Sequence, residues 1–394
     1  MLPNFLDFIR IFIVLLQVTS SKKGEGLTIH KNPTIEFNTI FGKIEIRSPY
    51  YWMGGKGFKP LIDEMKITHQ GRSETVKRAL SDFGIEFSFA EAAKRFSEHY
   101  NYDISSSAVS RTTKTIAYEA IDYIEEKIAT PNPLENESIK KMLVELDGCE
   151  IRTGQMKIKE NTEEKTPVYN NPKKEKEINW RDVRLGFVRP LDSDSKIFVG
   201  KMDSYPEIVG DLHNAAKWIG MTAETETVGV ADGGKGLSEE LKRQFPNMQF
   251  VLDKTHLKDH FYETAEKMGI PEKRRTGWVN SQLESISEGK VLEILEELKK
   301  KYEENPNDRL QRLIGYVTRF CDSVNYNDYK EKGYPIGSGE IESAHKSVPQ
   351  KRMKIPGATW HPYSIDPMLA LRILRADDWW DDFWTQRNQK LLAA

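Results

Sequence analysis

A chain of 394 residues is too long for one ordinary hydrophobic core, so about two or three domains are expected. With 38% hydrophobic and 30% charged residues it reads as neither disordered nor membranous, and a net charge of −2 leaves nucleic acid open as a partner, because local basic patches outweigh the sum. Two cysteines, Cys149 and Cys321, exclude a disulfide framework and a cysteine-based zinc site and point to a reducing compartment.

Phe5 to Val18 is apolar but broken by Asp7, Arg10 and Gln17. It is shorter than the roughly 20 residues of a spanning helix, and only Arg10 precedes its core Ile11–Leu16, against the pattern of a signal peptide. Residues 1–33 therefore read as an N-terminal extension with no membrane partner. Thr34 to Arg47 alternates partly, through Ile35, Phe37, Ile40, Ile44 and Ile46, as short strands do. Tyr51 to Gly57 is glycine-rich and reads as a loop. Ser73 is placed to cap a helix over Glu74–Phe83, with Gly84 as its stop.

Ser88 can cap a helix whose apolar face is Phe89, Ala93, Phe96 and Tyr100. A short turn leads to a second helix near Ser106, whose exposed side would carry Ser107, Ser110, Arg111 and Lys114. Helix, short turn and helix with small polar and basic residues over 88–118 fit a helix-turn-helix DNA reader; an ordinary helical hairpin fits the same pattern.

After a linker holding Pro131 and Pro133, Lys141 to Gly148 reads as a buried strand with Asp147 at its end. Lys157–Glu177, highly charged with Pro167 and Pro172, reads as a solvated excursion. Trp180–Val188 and Lys196–Lys201 look like strands and Pro206–Ile219 like a helix. Thr227–Val230 is a strand leading into Asp232-Gly233-Gly234, then a helix over Leu237–Phe245 and a strand over Gln249–Leu252 that ends in Asp253. Strands followed by strand–helix units suggest a mixed α/β sheet, whose ligands lie off the carboxyl ends of its strands. From about His256 to Tyr326 the periodicity is helical only, with Leu283, Ile286, Val291, Ile294, Leu295 and Leu298 in one series and Leu310, Leu313, Ile314, Val317 and Phe320 in another.

Next comes Gly337-Ser338-Gly339-Glu340-Ile341-Glu342-Ser343, a small-residue turn running into an acidic helix, and after it Lys346, Lys351, Arg352, Lys354 and Trp360. Carboxylates that converge repel one another, and a divalent cation relieves that repulsion. Mg²⁺ takes oxygen ligands and keeps several waters, so a few carboxylates suffice, and two such ions can activate a nucleophile and stabilise the leaving oxygen of a phosphodiester. The basic run would hold backbone phosphates; as a bare charge run it would be a solvated face. His256 and His260 share a helix face at i, i+4, a zinc-capable spacing. Leu257 stands where a metalloprotease motif has Glu, so a hydrogen-bonded cluster beside the metal site is expected, with Asp253 in support.

Three acids have rivals. Glu340 and Glu342 lie about 200° apart on a helix and cannot both enter one site. Glu145 shares a strand face with Asp147, and Asp253 ends a strand as Asp232 does.

The residues Gly337–Ser343, followed by Arg352-Met353-Lys354-x-x-Gly357-x-x-Trp360, resemble the Gly-Ser-Gly-x-x-Glu-Ser and Arg-Leu-Lys-x-x-Gly-x-x-Trp runs of bacterial insertion-sequence transposases of the DDE class, the ISKra-type group with Mutator-like features. Asp253-x-x-His256, Asp147-Gly148 and Trp180-Arg181-Asp182-Val183 resemble further segments of that family, and the resemblance covers roughly residues 34 to 384. Two features depart from it: Ala-Asp-Gly-Gly at Asp232, where Gly-Asp-Gly-Ala is commoner, and Tyr51–Gly57, which has no cysteine for a zinc ribbon.

The resemblance implies an RNase H-like mixed α/β core with an all-helical insertion, preceded by a helix-turn-helix-like DNA-binding region. Its segments would be 34–135 for DNA binding, 136–255 for the first part of the core, 256–330 for the insertion, and 331–394 for the last part with the third-acid helix and a C-terminal helix. It further implies Asp147, Asp232 and Glu342 as catalytic acids and ligands of Mg²⁺ (or Mn²⁺), as two ions. DNA, as element ends and target, would be the partner of a homo-oligomer in the bacterial cytoplasm. A nuclease that only hydrolyses, or a lapsed DNA-binding derivative, are the alternatives.

Overall fold

The computed structural model describes residues 28–53, 55–63, 67–130, 132, 139–158 and 174–393. The apolar start at Phe5–Val18, the linker prolines and most of the charged excursion lie outside them. The chain divides into two compact units, Met1–Glu119 with Asp381–Ala394, and Ala120–Trp380.

The first unit begins with β1 (Thr28–Lys31), β2 (Thr34–Thr39), β3 (Gly42–Arg47), β4 (Tyr50–Met53) and β5 (Lys56–Phe58), followed by β6 (Gly71–Arg72). They form two three-stranded sheets, ordered β1-β4-β5 and β3-β2-β6. The segment read as a loop at Tyr51–Gly57 is thus a hairpin: Tyr51 is buried and stacks on Phe58 at 5.3 Å, which gives two short strands a packed face despite their glycines. Three helices follow, α1 (Glu74–Glu86), α2 (Phe89–Tyr100) and α3 (Ser106–Ala129). Ser73 and Ser88 cap the first two, accepting from the Val76 and Glu91 N–H groups. Asn101 closes α2 in the left-handed region at φ 54°.

Gly84 does not stop α1, which runs to Glu86. A Cβ there would meet Thr113 Oγ1 of α3 at 2.3 Å, so the glycine serves close helix approach rather than termination. Val76, Leu80, Ala92, Phe96 and Val109 join the three helices in one apolar cluster. Burying Phe96 alone is worth roughly 2–3 kcal/mol. The C-terminal helix ties back within this unit through Arg387, paired with Glu74 and Glu119, and through Asp381, paired with Arg78.

The second unit is built on a five-stranded sheet of β7 (Lys141–Ile158), β8 (Lys174–Pro190), β9 (Ile197–Lys201), β10 (Glu226–Ala231) and β11 (Met248–Leu252). Its spatial order is β11-β10-β7-β8-β9. β7, β8 and β9 are antiparallel neighbours, and β10 and β11 run parallel to β7. This is the RNase H-like arrangement. Met142 to Leu146 are all buried, as a central strand covered on both faces requires.

Asp147 is not at the end of a strand. β7 continues eleven residues beyond it as a ribbon with β8, because the polar residues there alternate faces and pair one-to-one from Gly148↔Arg184 to Ile158↔Lys174. What ends near Asp147 is the ladder with β10, whose last pair is Val230↔Glu145.

Helices α4 (Tyr205–Trp218) and α5 (Leu237–Gln244) connect the strands. An all-helical insertion then runs through α6 (Lys254–Lys267), α7 (Glu272–Ser287), α8 (Val291–Glu304), α9 (Asp308–Arg319) and α10 (Tyr326–Glu331), in agreement with the periodicity over 256–326. The chain returns to the sheet as α11 (Gly339–His345), a π-helical turn Lys346–Gln350, and α12 (Lys351–Met353). Pro349 therefore neither ends the helix nor simply kinks it. The wider turn absorbs its missing N–H, and Arg372 of α13 (Ile365–Ala376) donates to the Ser347 and Val348 carbonyls there. The same α13 protects the sheet's β9 edge: Asp377 accepts the Phe198 N–H at 3.0 Å and Asp366 the Met202 N–H at 2.8 Å. Among the described residues no helix is long and apolar enough to cross a membrane.

Candidate active site

Parallel register places the first two acids. Val230 pairs with Glu145 as the last pair of that ladder; Asp147 lies two residues further along β7, and Asp232 one residue beyond the end of β10. Asp147 accepts the N–H of Gly148 at 2.7 Å, and Asp232 that of Gly234 at 2.9 Å. Burial pushes the Asp147 carboxyl up and the charge of Asp232 adds to this, against the opposite pull of His345, the Gly148 N–H and His256. The two carboxylates thus have one backbone donor each, and the basic groups that act on Asp147 are the imidazoles of His345 and His256.

Helix α11 reaches Asp147 through His345. His345 Nε2 lies 3.8 Å from Asp147 Oδ2. Burial pushes the imidazole's proton affinity down, against the pull of the Asp147 carboxylate and backbone carbonyl. Glu342 is exposed and precedes His345 by three residues, so both lie on one face of α11, a helical turn apart. The structure brings Asp147, Asp232 and His345 near one another, and Glu342 lies exposed on α11 one turn before His345. Among the described residues it brings no three His, Cys, Asp or Glu side chains close enough to hold a metal ion.

The rival acids each have a protein partner. Glu340 is gripped by Arg189, at 2.6 and 3.1 Å, and by Lys196 at 2.8 Å. Despite burial, these donors hold its carboxyl below the ordinary range. Glu145 is fully buried, accepts the Ile341 N–H at 2.9 Å at the start of α11, and is pushed up to about 8 by burial. Asp253 is buried as the N-cap of α6, accepting the His256 N–H at 2.8 Å; its other oxygen accepts the Ser338 N–H and hydroxyl at 2.5 and 2.7 Å. The turn into α11 is thus held by Asp253, Glu145 and Ser338. Neither Gly337 nor Gly339 has a positive φ, and a Cβ would be 3.6 Å from Asp253 at Gly337 and meet nothing within 4 Å at Gly339, so this bracket does not itself demand glycine.

His256 and His260 sit on one face of α6 toward the acid pair, and the His260 ring packs on Tyr316 at 4.4 Å. Burial, then Arg309 and His256, lower the proton affinity of His260. Sequence reasoning did not single out Tyr316 or Arg319 of α9, which bind the second-acid turn. Gly233 has φ +56°, and a Cβ on it would come within 2.6–2.8 Å of Phe320 and Tyr316. Arg319 donates to the Gly234 carbonyl at 3.2 Å. His345 also went unnoticed; its i, i+3 spacing from Glu342 was the available signal.

A scan against protein-family models finds no match, and no curated protein matches the chain. One similar solved structure is a Drosophila P element transposase strand transfer complex, 9% identical over 84% of each chain with a TM-score of 0.29. A likeness that low carries no argument about this chain, whose fold is read from its own sheet order.

The basic residues after α11 divide in two. Lys346, Lys351 and Lys354 are exposed. Arg352 and Trp360 are buried, the guanidinium 4.8 Å from the ring centroid, and the indole N–H donates to the Met353 carbonyl at 3.0 Å. Trp360 also exchanges backbone bonds with Arg152 and Gly154, at 3.0 and 2.8 Å. The expectation that Arg352 and Trp360 face phosphate is corrected: they pin this segment to the outer part of β7. On α3, Ser107 and Arg111 are exposed and Ser110 and Lys114 half-buried, along one side of a helix that follows α2 across a short turn.

Proposed function

We propose that the chain is a metal-dependent DNA strand-transfer enzyme of the DDE transposase class. The observation that supports this most is the Asp147–Asp232 pair, brought near one another where the β7–β10 ladder ends and given one backbone donor each, with Glu342 exposed on α11 one turn before His345, which lies 3.8 Å from Asp147. An all-oxygen donor set, with one carboxyl raised by burial and, after that, by the charge of its neighbour, suits Mg²⁺ or Mn²⁺, which Asp147, Asp232 and Glu342 would hold. Such ions, when bound, would polarise the scissile phosphate and lower the pKa of the attacking water or 3′-hydroxyl. The chain's own residues position this chemistry. Gly148 and Gly234 N–H groups orient the two carboxylates, and Tyr316 and Arg319 fix the turn that carries Asp232. His345 shields Asp147 from bulk water. Lys346, Lys351 and Lys354 are placed to hold backbone phosphates, and the exposed side of α3 to bind element ends. Joining two ends to a target implies a homo-oligomer on DNA.

The test is a strand-transfer assay with labelled element ends and Mg²⁺ or Mn²⁺. Asp232→Asn and Glu342→Gln should lose cleavage and keep DNA binding. Cleavage at wild-type level in both would remove the site assignment. Hydrolysis without joining in the wild type would favour a nuclease.

A further inference from the structure

Strand β8 outruns its neighbour on one side. β9 pairs with it only from Arg184 to Val188, so residues 174–183 have β7 on one side and, among the described residues, no strand on the other. The direction of the backbone groups there follows from β7. Trp360 takes up the Arg152 carbonyl and the Gly154 N–H, which therefore face away from β8, so Thr153 and its opposite residue Asn179 face one another. On β8 the N–H and C=O groups of Lys174, Lys176, Ile178, Trp180 and Asp182 then point to the open edge. Their side chains share one face of the ribbon, on which Trp180 is 59% exposed, Ile178 39% and Met156 of β7 61%.

An open edge of this length is a template for another strand, and alternating charge such as Lys174-Glu175-Lys176-Glu177 ordinarily guards against that. This stretch is, however, complementary to itself. Laid antiparallel against a second copy with Ile178 opposite Ile178, Lys174 meets the partner's Asp182 and Glu175 meets the partner's Arg181. Lys176 meets the partner's Trp180, whose indole its methylene stem can cover, and every contact occurs twice about the two-fold axis. The ion pairs within this stretch, Lys157–Glu177 at 2.6 Å and Arg184–Asp182 at 2.9 Å, leave Lys174, Glu175, Lys176 and Arg181 without one among the described residues. Neighbouring registers are poorer. Centred on Glu177, the pairing sets that carboxylate against its own copy. Centred on Asn179, it calls on Glu177, already bound by Lys157 and Gln155, and sets Lys174 against the partner's Arg184.

We propose that the β8 edges of two copies of this chain pair antiparallel about Ile178, joining two β7–β8 ribbons into one four-stranded sheet. The pairing supplies a surface for the homo-oligomer of the strand-transfer reading but does not rest on that reading, because it needs no DNA. One strand edge a side is a small interface, so a dissociation constant on the order of 10 μM is expected.

The test is sedimentation velocity of the full chain without DNA, from well below to well above that concentration, beside thermal melting. Arg181→Glu should weaken association about tenfold, because two attractive pairs become repulsive, and so should Glu175→Lys. The double variant restores opposite charges and should associate as the wild type does. All three should melt with the wild type, since both side chains are exposed. The register is read in a Cys321→Ser background, in which Cys149 stays buried. There Ile178→Cys should cross-link to its own copy when oxidised glutathione takes up the two thiol hydrogens, because Cα atoms of a hydrogen-bonded antiparallel pair lie about 5.5 Å apart. A wild type that stays monomeric throughout, single variants that associate normally, a double variant no better than the singles, or cross-linking of Asn179→Cys in place of Ile178→Cys would each overturn the pairing. With DNA absent throughout, these outcomes leave the strand-transfer reading to its own assay.

Discussion

Two groups of acids lie within a few residues of one another and are treated in opposite ways. At the start of α11, Asp253 and Glu340 are matched by donors, the Ser338 N–H and hydroxyl and the Arg189–Lys196 pair, while Glu145, with the Ile341 N–H on one oxygen and none on the other, is pushed up to about 8 by burial. One turn and one strand away, Asp147 and Asp232 have a single backbone N–H each, and Asp147 lies between the His345 ring, whose proton affinity burial lowers, and the like charge of Asp232. An acid whose charge the protein neutralises is part of the scaffold. An acid left short of positive charge is available to an external cation or substrate.

The contrast is sharpened first by its largest expected effect. Asp147→Asn should reduce DNA cleavage by 10³-fold or more, about 4 kcal/mol of transition-state stabilisation, with melting temperature unchanged or raised. Asp253→Ala should do the reverse. It removes the α6 cap and both Ser338 bonds, so a loss of ~3 kcal/mol is expected in denaturant unfolding.

Glu145→Gln tests the scaffold group through pH. The folded carboxyl is pushed up to about 8 by burial, while in the unfolded chain it ionises near its ordinary value of about 4.3. Between these values the folded state keeps a proton that the unfolded state has lost, so wild-type stability falls as pH rises through that window and levels off above it. Glutamine cannot ionise, so the variant should gain on the wild type by up to a few kcal/mol at pH 8 and much less at pH 5 in paired melts. The smallest effect concerns α1: Gly84→Ala should cost ~1–2 kcal/mol, from the clash with Thr113 less the gain in helix propensity.

The sequence carried the sheet strands, the helical insertion and the serine caps well, because their signals are local: periodicity, Ser73 and Ser88, and the apolar run Met142–Leu146. It misjudged features set by a distant neighbour. Gly84 looked like a helix stop because Thr113 is far away in sequence. Tyr51–Gly57 looked like a loop because the packing of Tyr51 on Phe58 is invisible in a short glycine-rich run. The choice among paired acids was open by spacing alone, since Glu145 and Asp147 share a strand face. What the structure adds is that Glu340 is held by Arg189 and Lys196, Asp253 by Ser338 and the start of α6, and Glu145 is sealed from solvent, whereas Asp147 is half-buried. Arg352 and Trp360 teach the same point from the basic side: a charged residue in a spaced motif can serve packing as well as ligand binding.

The central claim is that Asp147 and Asp232 form an uncompensated pair reserved for a cation. Its most direct measurement is a thermal melt of the wild type and of Asp147→Asn/Asp232→Asn, each with and without millimolar Mn²⁺. The double variant should match or exceed the metal-free wild type, and Mn²⁺ should raise the melting temperature of the wild type alone. A double variant that melts well below the metal-free wild type, or one that Mn²⁺ stabilises as much as the wild type, would contradict it.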